Sequence, residues 1–120
     1  MRFTVRACLL ATAVVAIAGC EQGSLIVGSG GTSPDLVATR AVSLKDTAYV
    51  PPNIQVVPGD TVTFTNLDHT PHNVTFATTS ITSTGDFTTG SRAVAMPAAN
   101  GTYAFSCTIH PTMKGSVTVQ

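Results

Sequence analysis

From about Asp35 to the C-terminus the sequence specifies an all-β domain, either a sandwich or a barrel. Val, Thr and Phe dominate this stretch, apolar residues alternate with polar ones, and Pro, Gly, Asn and Asp recur roughly every eight to twelve residues. Alternation puts successive side chains on opposite faces of a strand, so each run can bury one face and solvate the other. No window carries a convincing helical period, and no internal repeat is visible.

Taken in order, the predicted strands are Val37–Leu44, Asn53–Val57, Thr61–Asn66, His72–Phe76, Arg92–Ala95, Thr102–Cys107 and Gly115–Gln120. Pro58-Gly59-Asp60 separates the second from the third, with Pro suited to the first corner of a turn. Asn100-Gly101 is a second turn, just before Thr102. Ser80–Thr89 reads equally as a short strand or a loop. Alternation turns Val42, Leu44, Ile54, Val56, Val62, Phe64, Val74, Phe76, Val94, Tyr103, Phe105, Val117 and Val119 inward. About 85 residues is small for a β-sandwich, so the core is modest and a bound metal would add stability.

The N-terminal part has a different character. Arg2 and Arg6 precede the apolar run Ala7 to Ala18, and small residues follow, which is the layout of a secretory signal. The run is about a dozen residues, whereas a membrane span needs roughly 20. Ile17-Ala18-Gly19-Cys20 resembles the lipobox of bacterial lipoproteins, in which the cysteine is lipidated and becomes the new N-terminus. An ordinary signal peptide with a cysteine beside the cut is the alternative. The expected organisation is a lipoprotein signal peptide over 1–19, a lipidated Cys20 with a Gly/Ser linker over 20–35, and one domain over 36–120. The linker would behave as a flexible tether.

Processing would also simplify charge and cysteine content. The full chain has no net charge; without Arg2 and Arg6 it carries four basic residues against six acidic ones. A nucleic-acid surface needs a basic stripe, which is missing. Cys8 would leave with the signal and Cys20 would carry lipid, so Cys107 is the one free thiol of the domain. A lone thiol in an exported protein has no disulfide partner within the domain, and metal ligation is one explanation for it.

That explanation is strengthened by Ser106-Cys107-Thr108-Ile109-His110-Pro111-Thr112-Met113, where a thiol, an imidazole and a thioether follow one another at intervals of three. Thiolate and imidazole are strong ligands of a small, soft copper site, and a thioether is a weak axial one. A tight loop can aim all three at one point and leave a position for another histidine. The chain offers one upstream, in Pro71-His72-Asn73-Val74.

These segments together resemble the plastocyanin-like blue copper proteins, the cupredoxins. The resemblance runs from Pro52-Asn53-Ile54 through Pro58-Gly59-Asp60-Thr61-Val62, Asn66-Leu67-Asp68, His72-Asn73-Val74 and Gly101-Thr102-Tyr103 to Cys107, His110 and Met113-Lys114-Gly115. Two residues between Cys and His, and two between His and Met, make the ligand loop similar to that of amicyanin. The resemblance implies a Greek-key β-sandwich of about eight strands with one type 1 copper at one end. It implies His72, Cys107 and His110 as trigonal ligands and Met113 as the long axial ligand. His69 competes with His72, but it lies in the turn Asp68-His69-Thr70-Pro71 and lacks the following Asn-Val pair. By the same carry-over, Asn73 would direct its backbone N–H at the Cys107 sulfur and tie its side chain to Thr108, interactions that orient ligands and tune potential.

The expected function is single-electron transfer by a membrane-tethered monomer of the bacterial cell envelope, on its periplasmic or surface face. A redox partner would dock on the apolar surface around His110, near Pro71, Ile109 and Pro111. The second function considered is copper delivery or storage, but such carriers tend to be rich in Met and His. The processed chain would have only Met96 and Met113. Catalysis is not expected, because multicopper enzymes need further histidines and this chain has three in all.

Overall fold

The computed structural model describes residues 35–120; the signal, Cys20 and all but the last residue of the linker lie outside them. The described residues form nine strands and no helix: β1 Val37–Ala38, β2 Ala41–Lys45, β3 Ala48–Val50, β4 Asn53–Val56, β5 Thr61–Asn66, β6 Thr75–Phe76, β7 Gly90–Ala95, β8 Gly101–Ser106 and β9 Lys114–Val119. One sheet has the order β1-β4-β9-β8-β6 and the other β3-β2-β5-β7. Both are mixed. β1, β4 and β9 run parallel to their neighbours in turn, as do β2 and β5, while the remaining pairs are antiparallel.

The predicted strand Val37–Leu44 is divided, and each half belongs to a different sheet. β1 pairs with β4, β2 pairs with β5, and the break falls at Thr39 and Arg40. There the Thr39 hydroxyl accepts a hydrogen bond from the Ala41 N–H at 3.1 Å, a local bond that competes with the ladder. A split strand of this kind lets one continuous segment serve both layers.

β3 has no counterpart in the sequence reading. It forms a hairpin with β2 through Asp46 and Thr47, both at φ 54°. Two consecutive positive φ values suit a two-residue hairpin, but such turns ordinarily advertise themselves with Asn-Gly or Asp-Gly. A β-branched Thr at positive φ is an outlier. The Asp68 carboxylate supports it by accepting the Asp46 N–H at 2.7 Å and the Thr47 N–H at 3.2 Å.

The predicted strand His72–Phe76 also shortens, to Thr75–Phe76. His72 makes an isolated antiparallel bridge with Phe87 instead. Hydroxyls of the 80–89 loop take over two ladder positions: Thr84 Oγ1 accepts from the Val74 N–H at 2.9 Å, and Ser83 Oγ from the Phe76 N–H at 3.0 Å. That loop also buries Ile81 and Phe87, which alternation did not find. The turn at Pro58-Gly59-Asp60 is present, closed by Asp60 N–H to Val57 C=O at 3.1 Å, with Gly59 at φ 83°.

The core lies between the sheets and contains every residue predicted to face inward; Tyr103 alone is only partly buried. Phe105 is its hub, meeting Tyr49, Phe64 and Phe76 at ring-centroid distances of 4.8, 5.4 and 5.4 Å. The first two contacts are edge-to-face, the arrangement that ring quadrupoles favour. Opposite Phe105 stands Gly115, where a Cβ would come within 2.5 Å of the Phe105 ring and of the Pro52 carbonyl oxygen. A glycine here lets β9 carry a large aromatic across its backbone.

Candidate metal centre

Four backbone features bring the motif residues to one end of the sandwich. Cys107 follows the last residue of β8, one position beyond the strand rather than inside it. Its N–H still donates to Met113 C=O at 3.0 Å, so the sulfur-bearing residue is anchored across the mouth of the loop. Met113 N–H donates to His110 C=O at 2.8 Å, closing a turn that holds His110 between the two. His72 is fixed from the opposite side by reciprocal bonds with Phe87, at 3.2 and 2.9 Å.

His72, Cys107 and His110 converge, with one donor atom from each within 4.8 Å of the others. The His72 and His110 Nδ1 atoms face each other at 3.1 Å, and His110 Nδ1 lies 3.8 Å from the Cys107 sulfur. The first distance is roughly that between two ring nitrogens each approaching one ion at about 2 Å. His72, Cys107 and Met113 are buried, at 0, 1 and 1% exposure, while His110 is half-buried. One imidazole therefore reaches the surface and the other donors are shielded. His69 is exposed, sits at φ 60°, and is not part of the cluster.

Around this cluster lies a hydrogen-bonded frame. Asn73, buried, donates from Nδ2 to Thr108 Oγ1 at 2.7 Å and to Asp86 Oδ1 at 2.8 Å. Its Oδ1 accepts from the Thr108 N–H at 3.1 Å and from Thr75 Oγ1 at 3.0 Å. The segment after His72 is thereby stapled to the residue after Cys107. Tyr49 donates its hydroxyl to Asn73 C=O at 2.6 Å, and burial followed by the nearby Cys107 pushes the phenol well above its ordinary range.

On the other side of His72, Nε2 lies 2.8 Å from Asp68 Oδ2 and 3.3 Å from Thr70 Oγ1. The backbone N–H of Asp46, the His72 ring and the Thr47 N–H hold the Asp68 carboxyl below the usual carboxylate range, against the opposing effect of partial desolvation. Asn66, also buried, braces this loop by donating to Thr70 C=O at 2.8 Å and Phe87 C=O at 2.7 Å and accepting from the Asp68 N–H at 2.9 Å. Asn66, Asp68, Tyr49 and Asp86 were not among the predicted site residues. Of these, Asn66 and Asp68 left a trace in sequence, as the Asn66-Leu67-Asp68 segment of the resemblance.

A buried thiol beside two imidazoles, with no disulfide partner among the described residues, is the donor set of a soft transition-metal site. Placed at one end of a two-sheet sandwich, it defines a mononuclear copper protein of the electron-transfer class. The chain belongs to the cupredoxin-like family: the Cupredoxin-like domain matches residues 9–119. Solved structures agree. A Cu(I) form of an amicyanin variant is 28% identical with a TM-score of 0.60, covering 75% of this chain and 87% of that one. An oxidised amicyanin variant is 29% identical with a TM-score of 0.60, covering 67% and 80%. A purple cupredoxin from Nitrosopumilus maritimus is 25% identical with a TM-score of 0.60, covering 68% of this chain and 100% of that one. No curated protein matches the chain. The cofactor of this domain is a single copper.

Proposed function

We propose that this protein carries single electrons between redox partners, using one copper that would be held by His72, Cys107 and His110 together with Met113. The observation that carries the proposal is the convergence of two Nδ1 atoms and a buried sulfur on one point. When bound there, copper supplies a one-electron Cu(I)/Cu(II) couple. The chain's own residues supply a stiff, water-shielded cage. His72 and Met113 are shut off from solvent, and the Asn73–Thr108 and Asn66–Asp68 bonds hold the loops that carry the ligands. A cage that stays put in both redox states keeps reorganisation small.

His110 is the exposed edge of the set, so an electron would enter or leave through its ring. The residues beside it in sequence include exposed Ile109 and Pro111, and Pro71 precedes His72. This apolar surface would receive a redox partner in a small, transient encounter of the kind electron carriers use. The same closure disfavours a role in copper delivery or storage, which calls for ligands open to exchange.

The lipobox-like Ile17-Ala18-Gly19-Cys20 and the glycine- and serine-rich segment after it support a lipid-anchored protein on the bacterial cell envelope, facing the periplasm or the surface. Several acyl chains on one residue would give stable anchoring where one gives only marginal binding. Voltammetry of the copper-loaded chain tests the electron-carrier role. A reversible one-electron wave with equal peak currents is expected; an irreversible wave, or copper loss on reduction, would remove the carrier function and favour delivery.

A further inference from the structure

We propose that Asp68 is a positioning residue for His72: its carboxylate keeps the ring proton on Nε2, aims Nδ1 into the site, and lowers the copper potential by placing a negative charge behind the ligand. The proposal rests on His72 being a copper ligand. It is carried by the geometry on the protein side of the ring. Nε2 is 2.8 Å from Asp68 Oδ2, while Nδ1 faces His110. An acceptor at that distance selects the tautomer with hydrogen on Nε2 and leaves Nδ1 with a free lone pair.

The carboxylate is itself held rigidly. Oδ1 accepts from the Asp46 N–H at 2.7 Å, and Oδ2 accepts from the Thr47 N–H at 3.2 Å as well as from the ring. The Asp68 backbone N–H donates to Asn66 Oδ1 at 2.9 Å, and the neighbouring Leu67 N–H to Leu44 C=O at 2.9 Å. Both oxygens are therefore tied to the β2–β3 turn, and the main chain to Asn66 at the end of β5 and, through Leu67, to β2. The side chains of Asp68 and His72 are 15 and 0% exposed, so water screens their interaction only in part. The hairpin turn with its unusual Thr47 conformation thus serves a second purpose: it presents two N–H groups that pin the carboxylate in line with the imidazole. A negative charge fixed there stabilises Cu(II) over Cu(I).

The test uses the full chain loaded with copper, comparing wild type with Asp68→Asn at one pH. The Asn side chain keeps an oxygen for the turn but removes the charge. The blue absorption should persist, while the affinity for Cu(II) relative to Cu(I) falls about tenfold, about 59 mV upward for a one-electron couple. A merely structural Asp68 would lower the unfolding midpoint and leave the potential alone, so an unchanged potential with the blue band intact overturns the proposal. A second measurement is independent of whether the variant folds. In the diamagnetic Cu(I) form of the wild type, the His72 Nε2–H should give a slowly exchanging ring resonance in proton–nitrogen spectra. Exchange as fast as that of the exposed His69 ring overturns the proposal as well. Absence of the blue band from the wild type would instead defeat the copper reading, and is seen before any variant is compared.

Discussion

Replacing Asn73 with alanine is expected to cost this domain several kcal/mol and to loosen the ligand loop at the same time. Four side-chain hydrogen bonds disappear: two to Thr108, at 2.7 and 3.1 Å, one to Thr75 at 3.0 Å and one to Asp86 at 2.8 Å. Each ordinary bond contributes about 0.5–1.5 kcal/mol net. Thr108 and Asp86 are exposed residues, so water replaces part of what is lost on their side. The sum is therefore about 2–4 kcal/mol, a large share of the roughly 5–15 kcal/mol that stabilises a typical domain. With an m-value of about 1.5 kcal/mol per molar, the urea midpoint of the metal-free protein should fall by about 2 M. Equilibrium unfolding followed by circular dichroism measures this directly. A shift corresponding to less than about 1 kcal/mol would mean that the Asn73 staple does not hold the site, and the account of the frame would be wrong.

Three further perturbations can be tested, two from the structure and one from the N-terminal sequence. Gly115→Ala drives a Cβ to within 2.5 Å of the Phe105 ring and the Pro52 carbonyl, so overpacking should cost about 1–3 kcal/mol and lower the thermal midpoint in calorimetry. Tyr49→Phe removes the 2.6 Å bond to Asn73 and should cost about 1 kcal/mol. Because burial raises the Tyr49 phenol in the folded state, its stabilising contribution is complete below the ordinary tyrosine value of about 10 and is lost as pH rises above it. The wild type should therefore lose stability in alkali more steeply than the Phe variant, as read by denaturation at several pH values. Finally, Cys20→Ser should move the protein from the membrane to the soluble fraction of the cells that export it, and a chain that stays with the membrane would refute lipid anchoring.

What could be read in advance divides by the range of the interactions involved. Strands β4, β5, β7, β8 and β9 were legible because alternation is a local property, enforced by one buried face. β3 was not, since its turn is stabilised by Asp68, some twenty residues further on, rather than by glycine in the turn itself. His72–Phe76 looked like a longer strand because its side chains alternate, although hydroxyls of Ser83 and Thr84 substitute for a neighbouring strand. The same division holds at the site. Cys107, His110 and Met113 occupy one loop and announce themselves by spacing, and His72 followed from the family resemblance. Asn66 ends a strand and Asp68 opens the turn after it; the sequence marks them only as the Asn66-Leu67-Asp68 segment, and it is the folded chain that brings them against the histidine and its flanking backbone.

The central claim is that one copper binds where Cys107 and the two histidines meet, and visible absorption during a Cu(II) titration tests it most directly. An intense blue band, from sulfur-to-copper charge transfer, is expected to rise linearly and stop at one equivalent of copper. It should vanish in Cys107→Ser, be lost or badly perturbed in His72→Ala, and survive in His69→Ala. A colourless wild-type complex, or a band that persists without the Cys107 sulfur, would contradict it.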